Sequence, residues 1–141
     1  MWEIFGSFAY LFVSFGSSYI MITFKDFQKL DIRVGTVVSA EVPKWSHWVM
    51  KLTVNLGNPP AGGGKKTVFA GIMKFYKPED LEGKQFVFVT NLEPKKIGPE
   101  GDFSEAMVLA ASVPDKTGKE ENEKPVLLSV SDKVPNGTRV R

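Results

Sequence analysis

The sequence predicts an all-β domain built around a small closed barrel. Short segments rich in Val, Ile, Phe and Thr recur along the chain between turn residues. The 141 residues include 13 glycines and 9 prolines, a composition that favours strands and turns over a helical bundle. The chain shows no internal repeat, and brief helical turns interrupt the strands. Periodicity does not distinguish an OB-fold from an SH3-like barrel, so both remain open at this stage.

The first predicted elements are a short helix and a strand. Thr23 and Asp26 have the spacing of a helix N-terminal capping box, which predicts one or two helical turns ending near Leu30. Residues 32–40 (IRVGTVVSA) have the composition of a first strand. Gly35 within this strand predicts a bulge or a sharp curl of the backbone.

The second and third predicted strands are joined by a glycine-rich loop. Residues 48–56 alternate between apolar and polar side chains, as a strand with one buried face does. The side chains predicted to face the core are Trp48, Met50, Leu52, Val54 and Leu56. Residues 57–64 (GNPPAGGG) are rich in glycine and proline and predict a flexible hairpin connection. They lack the spacing of a phosphate-binding P-loop, so we do not expect them to bind phosphate. Residues 67–72 (TVFAGI) then predict a buried third strand.

The second half of the chain continues the pattern of short strands. Pro78 lies at a favourable first helical position, and Gly83 can end the short helix that it begins. Residues 86–92 (FVFVTNL) are apolar on both faces, which predicts a barrel strand covered on its outer side by a second subunit or a helix. The remaining predicted elements are a fifth strand at 106–112, a charged exposed loop at 113–125 and short strands around a turn at 134–137.

The composition argues against several kinds of active site. The chain contains no cysteine, which excludes disulfides, thiolate metal ligands and a cysteine nucleophile, and fits a reducing compartment. His47 is the single histidine, and no nucleophile elbow or recognisable carboxylate pair accompanies it. We therefore expect no enzyme, no metal site and no cofactor. The net charge is only +2, so any RNA affinity must come from clustered Lys and Arg.

Residues 1–20 differ in composition from the rest of the chain. They include seven aromatic residues, no Lys or Arg, and Glu3 as the single acid. A secretory signal would need a basic start, and serines and glycines interrupt the run that a membrane span would need. We favour a translation start at Met21, with residues 1–20 a mis-assigned start or an unusual extension and residues 21–141 the domain. If the segment is present, we expect its aromatic side chains to pack at a subunit interface.

Five segments, taken in order, resemble a known family. They are DFQKLDIRVGTVVSAE (26–41), KLTVNLG (51–57), TVFAGIMKFYKPEDLEGKQFVFVTNLEPKKIG (67–98), SEAMVLAA (104–111) and VPNGTRV (134–140). They resemble the tRNA-binding domain that is appended to many methionyl-tRNA synthetases. The same domain occurs as free-standing homodimeric tRNA-binding proteins and as CsaA-type secretion chaperones. The resemblance implies a five-stranded OB-fold barrel with short helical turns and a C-terminal extension of short strands.

Two segments depart from the family pattern. Residues 42–50 (VPKWSHWVM) stand where the family has H-P-x-A-D-K-L, so the Asp-Lys pair of that motif is missing. Ala106 replaces the glycine of the family's S-x-G-M segment, and its methyl group would narrow the approach of the backbone to a nucleotide. Both changes concern RNA contacts and leave the predicted fold unaffected.

The resemblance implies an RNA-binding surface after the fourth strand. Asn91, Lys95 and Lys96 belong to the family's N-L-x-P-K/R-K segment, whose lysines can neutralise phosphates and whose amide can contact a base edge. Ser104 and Met107 are expected beside Asn91, where Ser can donate to a phosphate or ribose and Met can pack against an unstacked base. The alternatives from the residues alone are a solvated lysine pair, a strand-capping Asn, a turn serine and a core methionine.

Further cations and aromatics are weaker candidates for RNA contact. Arg33 and Lys51 lie among apolar neighbours on predicted strands, so both should point outward, either for solubility or along the RNA face. Aromatic side chains can stack on unpaired bases. The phase of its strand favours the core for Trp48, and His47 is expected at the surface or an interface. Trp45 stays open between base stacking and an apolar anchor.

These features together predict a non-catalytic tRNA-binding protein. We expect a cytoplasmic homodimer that recognises RNA mostly by shape and backbone, alone or as an accessory or beta-subunit-like module of methionyl-tRNA synthetase. No membrane association is expected. The alternative is a CsaA-type chaperone that binds unfolded or exported polypeptides in an apolar groove. The two differ in salt response, because phosphate contacts weaken as salt rises whereas apolar capture does not.

Overall fold

The computed structural model describes residues 20–59 and 63–141. The predicted N-terminal extension, apart from its last residue, and the middle of the predicted glycine-rich loop (60–62) lie outside the described residues. The chain divides into two units, Met1–Leu30 and Asp31–Arg141. Each unit is described by itself below.

The first unit contains one short helix among its described residues, α1 (Phe24–Phe27). The predicted capping box is confirmed: Thr23 Oγ1 accepts a hydrogen bond from Asp26 N at 3.1 Å, and Thr23 N donates to the Asp26 carboxylate at 3.3 Å. The bond from Thr23 N lowers the pKa of Asp26 from its ordinary value, and Lys29 Nζ at 3.2 Å adds to this effect. The cap therefore fixes where the helix begins.

The second unit contains the strands of the barrel and a second short helix. Its strands are β1 (Ile32–Glu41), β2 (Met50–Asn55), β3 (Lys65–Ala70), β4 (Gln85–Val89), β5 (Lys95–Ile97), β6 (Asp102–Ser104), β7 (Met107–Val108), β8 (Ala110–Val113), β9 (Lys124–Leu127) and β10 (Arg139–Val140). The helix α2 (Pro78–Leu81) joins β3 to β4, as predicted. The main antiparallel sheet has the order β3-β2-β1-β4-β7, and β10 pairs with β1. This is the five-stranded, nearly closed barrel that the resemblance implied.

The barrel interior contains the alternate side chains of β2 and the apolar residues that face them. The fully buried members include Val37, Met50, Leu52, Val54, Leu56, Val68, Leu81 and Phe88. The predicted alternation is thus confirmed from Met50 onward, but Trp48 is 50% exposed and its predicted core position is wrong. Ser46 Oγ accepts hydrogen bonds from the N–H groups of Trp48 at 3.2 Å and Val49 at 2.8 Å. These bonds form a turn, so strand alternation does not extend back to Trp48.

The first strand bends near its middle. Its register with β2 shifts between Val37 and Ser39, so the bulge predicted at Gly35 is wrong in position. Gly35 meets a different constraint, because a Cβ atom there would lie 2.7 Å from the side chains of both Val54 and Leu56. The close approach of the core to the β1 backbone therefore requires glycine.

Side chains help to close the barrel between β3 and the residues before β7. Glu105 N donates to Thr67 O at 2.8 Å, and the Glu105 carboxylate accepts from Thr67 N at 2.9 Å. Ser104 Oγ accepts from Phe69 N at 3.0 Å and donates to Ala106 O at 3.1 Å. These bonds satisfy backbone groups on the edge of β3 opposite β2, which would otherwise be left without partners.

The outer face of β1 and β4 is also apolar. Ile32 pairs with Val89 and Val34 pairs with Val87, and these side chains are buried in the single chain. The strand predicted at 86–92 is confirmed as apolar on both faces from Phe86 to Val89, where it ends. Because burial is reached without a second subunit, this strand gives no support for a dimer.

The C-terminal part of the chain lies along the same strands. Val87 N donates to Leu128 O at 3.1 Å, and Gln85 Nε2 donates to Val134 O at 2.7 Å. The single strand predicted at 106–112 is divided, with β7 pairing with β4 and β8 pairing with β9. The predicted loop at 113–125 is the tip of the β8–β9 hairpin.

Candidate nucleic-acid interface

The β5–β6 hairpin carries two of the four predicted RNA-binding cations, Lys95 and Lys96. Lys95 pairs with Ser104, Lys96 with Phe103 and Ile97 with Asp102. In both strands the middle residue is exposed and the third is buried. Since side chains alternate across a strand, Lys96 and Phe103 share the solvent face of the hairpin. Lys95 and Ser104 lie on the opposite face, so the two neighbouring lysines do not act as one charged pair.

The inner face attaches the hairpin to the barrel. Ile97 is buried, and the Asp102 carboxylate accepts from Lys51 Nζ at 3.3 Å. Ser104 is fully buried, and both hydrogen bonds of its hydroxyl group go to the backbone. The predicted donation from Ser104 to a phosphate or ribose is therefore not possible in this conformation. These bonds assign Ser104 to barrel closure, and its contact with RNA stays a prediction.

Trp45 covers the end of β5. Its ring centroid lies 6.1 Å from that of Phe69, with an angle of 40° between the planes. A Cβ atom at Gly98 would lie only 2.4 Å from the Trp45 ring, and Gly98 has a φ of +70°. Trp45 Nε1 is buried without a hydrogen-bond partner among the described residues. These contacts make Trp45 an apolar anchor of the hairpin and favour this over base stacking.

Asn91 connects the end of β4 to the start of β1. Its side-chain oxygen accepts a hydrogen bond from Asp31 N at 2.8 Å, and the N–H and hydroxyl of Thr90 donate to Asp31 O at 2.8 and 2.9 Å. The residue is nevertheless exposed. Asn91 thus caps the end of the strand, as one alternative predicted. Its hydrogen bond is not local, however, because it joins residues 60 positions apart in the chain.

Lys51 lies on the outward face of β2 as predicted, whereas Arg33 pairs with the buried Phe88 and does not point outward. The Arg33 side chain is 20% exposed, with Nε 2.9 Å from the Asp31 carboxylate and Nη1 2.9 Å from Gly137 O. It therefore joins the start of β1 to the turn before β10. The Lys51 side chain is 28% exposed, and its ammonium lies 3.3 Å from Asp102 and 3.9 Å from Glu41. Their carboxylate partners reduce the charge that either cation can present to phosphate.

Three other residues near the barrel lie in different environments: Met107, Glu105 and His47. Met107 pairs with Val89 and is half-buried, so it lies beside the end of β4, and its position beside Asn91 stays a prediction. The Glu105 carboxylate accepts a hydrogen bond from Thr67 N at 2.9 Å and so lies against β3. His47 is exposed, as expected for a surface residue. Within the described ranges, no group of three or more His, Asp or Glu side chains is arranged to hold a metal ion.

Comparison with known proteins gives the family. The model of the family described as "Putative tRNA binding domain" matches residues 32–139. The chain belongs to this tRNA-binding domain family. The match extends from the first barrel strand to the last and includes the whole β5–β6 hairpin.

Individual relatives agree with this assignment. The chain is 40% identical over 120 residues to "Methionine--tRNA ligase 1" of Bacillus anthracis, which covers 85% of this chain and 16% of the relative. It is 42% identical over 121 residues to the methionine–tRNA ligase of Methanothrix thermoacetophila, covering 86% of this chain and 16% of that protein. The chain therefore spans only about a sixth of the length of these curated relatives.

Solved structures of this family have the same fold. The chaperone CsaA from Bacillus anthracis is 37% identical with a TM-score of 0.69, covering 86% of this chain and 100% of that one. The MetRS-related protein from Pyrococcus horikoshii is 35% identical with a TM-score of 0.71, covering 86% and 99%. The resemblance inferred from the sequence is thus confirmed, and so is the OB-type barrel. Among the described residues no helix is long and apolar enough to cross a membrane.

Sequence reasoning missed two features of this interface. Phe103 was not selected, because an apolar residue between two polar ones in a strand is ordinarily expected to face the core. The contact between Trp45 and Gly98 joins residues far apart in the chain, and no pattern in the sequence indicates it. Both features affect the same hairpin.

Proposed function

We propose that this protein is a non-catalytic tRNA-binding protein that uses the barrel rim around the β5–β6 hairpin. The observation that carries this proposal is the family match over residues 32–139. Lys96 supports it as an exposed cation on a firmly attached hairpin. Asn91, Lys95 and Met107 remain proposed contacts at the same rim. Arg33 and Lys51 act mainly in the fold, where their carboxylate partners hold them.

Binding without chemistry would use backbone and shape recognition. An OB-fold presents one face and its rim loops to an oligonucleotide, and cations there gain affinity by displacing counterions from phosphates. Within this proposal the protein acts in the cytoplasm, where tRNA is used, with no cofactor. A synthetase is a reasonable partner, because curated relatives of this domain are methionine–tRNA ligases.

The test is a titration with bulk tRNA at several salt concentrations. Lys96→Ala should weaken binding and reduce the slope of log K against log salt by roughly 0.7–0.9, the value for one phosphate contact. Lys116→Ala is the matched control, since it removes an equally exposed lysine from the β8–β9 loop. No binding of tRNA by the parent protein at low salt would overturn the proposal.

A second candidate function is polypeptide binding. Two structural neighbours are described as CsaA chaperones, and each matches over 100% of its own length. The probe is a reduced, carboxymethylated protein that stays unfolded. Capture that persists at high salt, without tRNA binding at low salt, would favour the chaperone function.

The homodimer remains a prediction from the resemblance. Sedimentation velocity of the parent protein, with and without tRNA, measures it directly. A two-fold pair would double the contact area offered to one tRNA. A monomer at all concentrations would remove the dimer from the proposal without affecting the tRNA test.

A further inference from the structure

The solvent face of the β5–β6 hairpin places an aromatic ring beside a cation. Phe103 is 51% exposed and pairs directly with Lys96, which is also exposed. Directly paired residues of antiparallel strands have Cβ atoms about 5 Å apart on the same face. An apolar ring and an ammonium group are therefore available together to one ligand.

Phe103 cannot easily turn into the protein. Its two neighbours are fixed on the inner face, Asp102 by the 3.3 Å contact to Lys51 and Ser104 by complete burial and hydrogen bonding. Moving Phe103 inward would require a one-residue shift of β6, which would expose both neighbours. The opposite strand is equally fixed, because Ile97 is buried and Trp45 packs on Gly98. The ring is thus held in solvent by its surroundings.

The chemistry of this pair selects its ligand. A planar apolar ring offers a stacking surface to any base, and a neighbouring cation offers a partner for the phosphate linked to that base. A base inside an A-form helix is already stacked and cannot use such a ring. The ligand class is therefore an unpaired nucleotide, as found in loops and at ends of tRNA.

We propose that Phe103 stacks on an unpaired base of the bound tRNA while Lys96 neutralises a phosphate of the same strand. This inference rests on the proposed function and names the part of the RNA that the hairpin contacts. The two side chains then contribute to the binding affinity in different ways. Phe103 contributes affinity that does not depend on salt, and Lys96 contributes affinity that does.

The first experiment measures binding of bulk tRNA by Phe103→Leu, Phe103→Trp, Lys96→Ala and the parent. Phe103→Leu keeps an apolar side chain but loses the ring, and should weaken binding about 5- to 100-fold with an unchanged salt slope. Phe103→Trp should bind at least as well as the parent. Phe75→Leu is the matched control, because Phe75 is an exposed aromatic outside the hairpin strands.

The second experiment detects stacking directly. A single-stranded RNA oligonucleotide containing 2-aminopurine loses fluorescence when that base stacks on an aromatic ring. At saturating protein, the parent and Phe103→Trp should quench the probe, and Phe103→Leu should not. Urea unfolding of each variant checks whether the exposed substitutions leave the fold intact.

The outcomes separate this inference from the function on which it rests. If the parent binds no tRNA, the proposed function itself fails. If the parent binds tRNA and Phe103→Leu matches it in both affinity and quenching, the stacking inference is wrong. The inference also fails if Phe75→Leu weakens binding equally, or if Phe103→Leu changes the sedimentation of the free protein, since Phe103 would then belong to a contact between copies.

Discussion

Replacement of Ser104 by alanine tests whether a side chain closes the barrel. Ser104→Ala removes the acceptor for Phe69 N at 3.0 Å and the donor to Ala106 O at 3.1 Å. Ser104 is 0% exposed and Phe69 only 3% exposed, so little water can replace the lost partner. An unsatisfied buried donor costs about 1–3 kcal/mol. We expect a loss of about 2 kcal/mol in the free energy of unfolding, since no large cavity forms.

Urea unfolding measures this loss. With a typical m-value of about 2 kcal/mol per molar urea, the midpoint should fall by about 1 M. Ser112→Ala is the matched control, because Ser112 is exposed on β8 and its change should lie within about 0.5 kcal/mol. Hydrogen exchange at the Phe69 amide should accelerate in Ser104→Ala more than at amides of β1, since the edge of β3 loses its partner.

The same variant separates the structural role of Ser104 from the RNA contact that the sequence predicted. If the hydroxyl only closes the barrel, the folded variant should bind tRNA within about twofold of the parent. An unchanged urea midpoint would refute the closure argument. An unchanged midpoint together with a clear loss of tRNA affinity would restore Ser104 to the binding surface.

Three further predictions concern other residues around the barrel. Gly98→Ala should destabilise the fold by roughly 2 kcal/mol and shift the tryptophan fluorescence, because the new methyl group meets Trp45 and φ is +70°. Arg33→Lys should cost about 1 kcal/mol in urea unfolding without weakening tRNA binding, since lysine cannot bond both Asp31 and Gly137 O. Thr117→Ala should raise the pKa of Asp115 towards its ordinary value in a carboxyl NMR titration, because the Thr117 hydroxyl at 2.6 Å is the main cause of the lowered pKa.

For each of these three changes, one result would contradict the expected cause. Gly118→Ala has nearly the same φ, +69°, but nothing within 4 Å of the new Cβ, so an equal loss in both variants would refute the contact with Trp45. A tRNA affinity that falls in Arg33→Lys would place Arg33 at the RNA surface. Because the folded pKa of Asp115 is depressed, its hydrogen bonds support the hairpin tip above the ordinary pKa and lose that support as pH falls through the folded pKa. A titration unchanged by Thr117→Ala would contradict the assigned cause.

Much of the fold could be predicted from local patterns. The capping box at Thr23, the helix after Lys77 and the alternation from Met50 to Leu56 depend on neighbours in sequence, and the structure contains all of them. The family resemblance then supplied what periodicity could not, the choice of an OB-type barrel. Local physics and resemblance together were sufficient for the elements up to β4, but they predicted neither the β5–β6 hairpin nor the division of the strand at 106–112.

The errors arise from one local turn and from contacts between residues that are distant in the chain. Trp48 was assigned to the core by extending an alternation that a hydrogen-bonded turn at Ser46 interrupts. Arg33 was predicted to point outward, but its partner Gly137 O is 104 residues away. The bulge was placed at Gly35 because glycine often marks one, whereas here glycine is required by the side chains of Val54 and Leu56.

Lys95 and Lys96 show that a sequence motif alone does not define a binding site. The register of the strand decides which face each side chain occupies. Lys95 and Lys96 are adjacent in sequence, and a basic pair suggests a single patch of charge. In β5 they face opposite sides, so one meets the barrel side of the hairpin and the other meets solvent opposite Phe103. With a net charge of only +2, long-range attraction contributes little, and affinity for RNA must depend on such local arrangements. The strand pairing, which no short motif encodes, thus determines which cation can work with which aromatic.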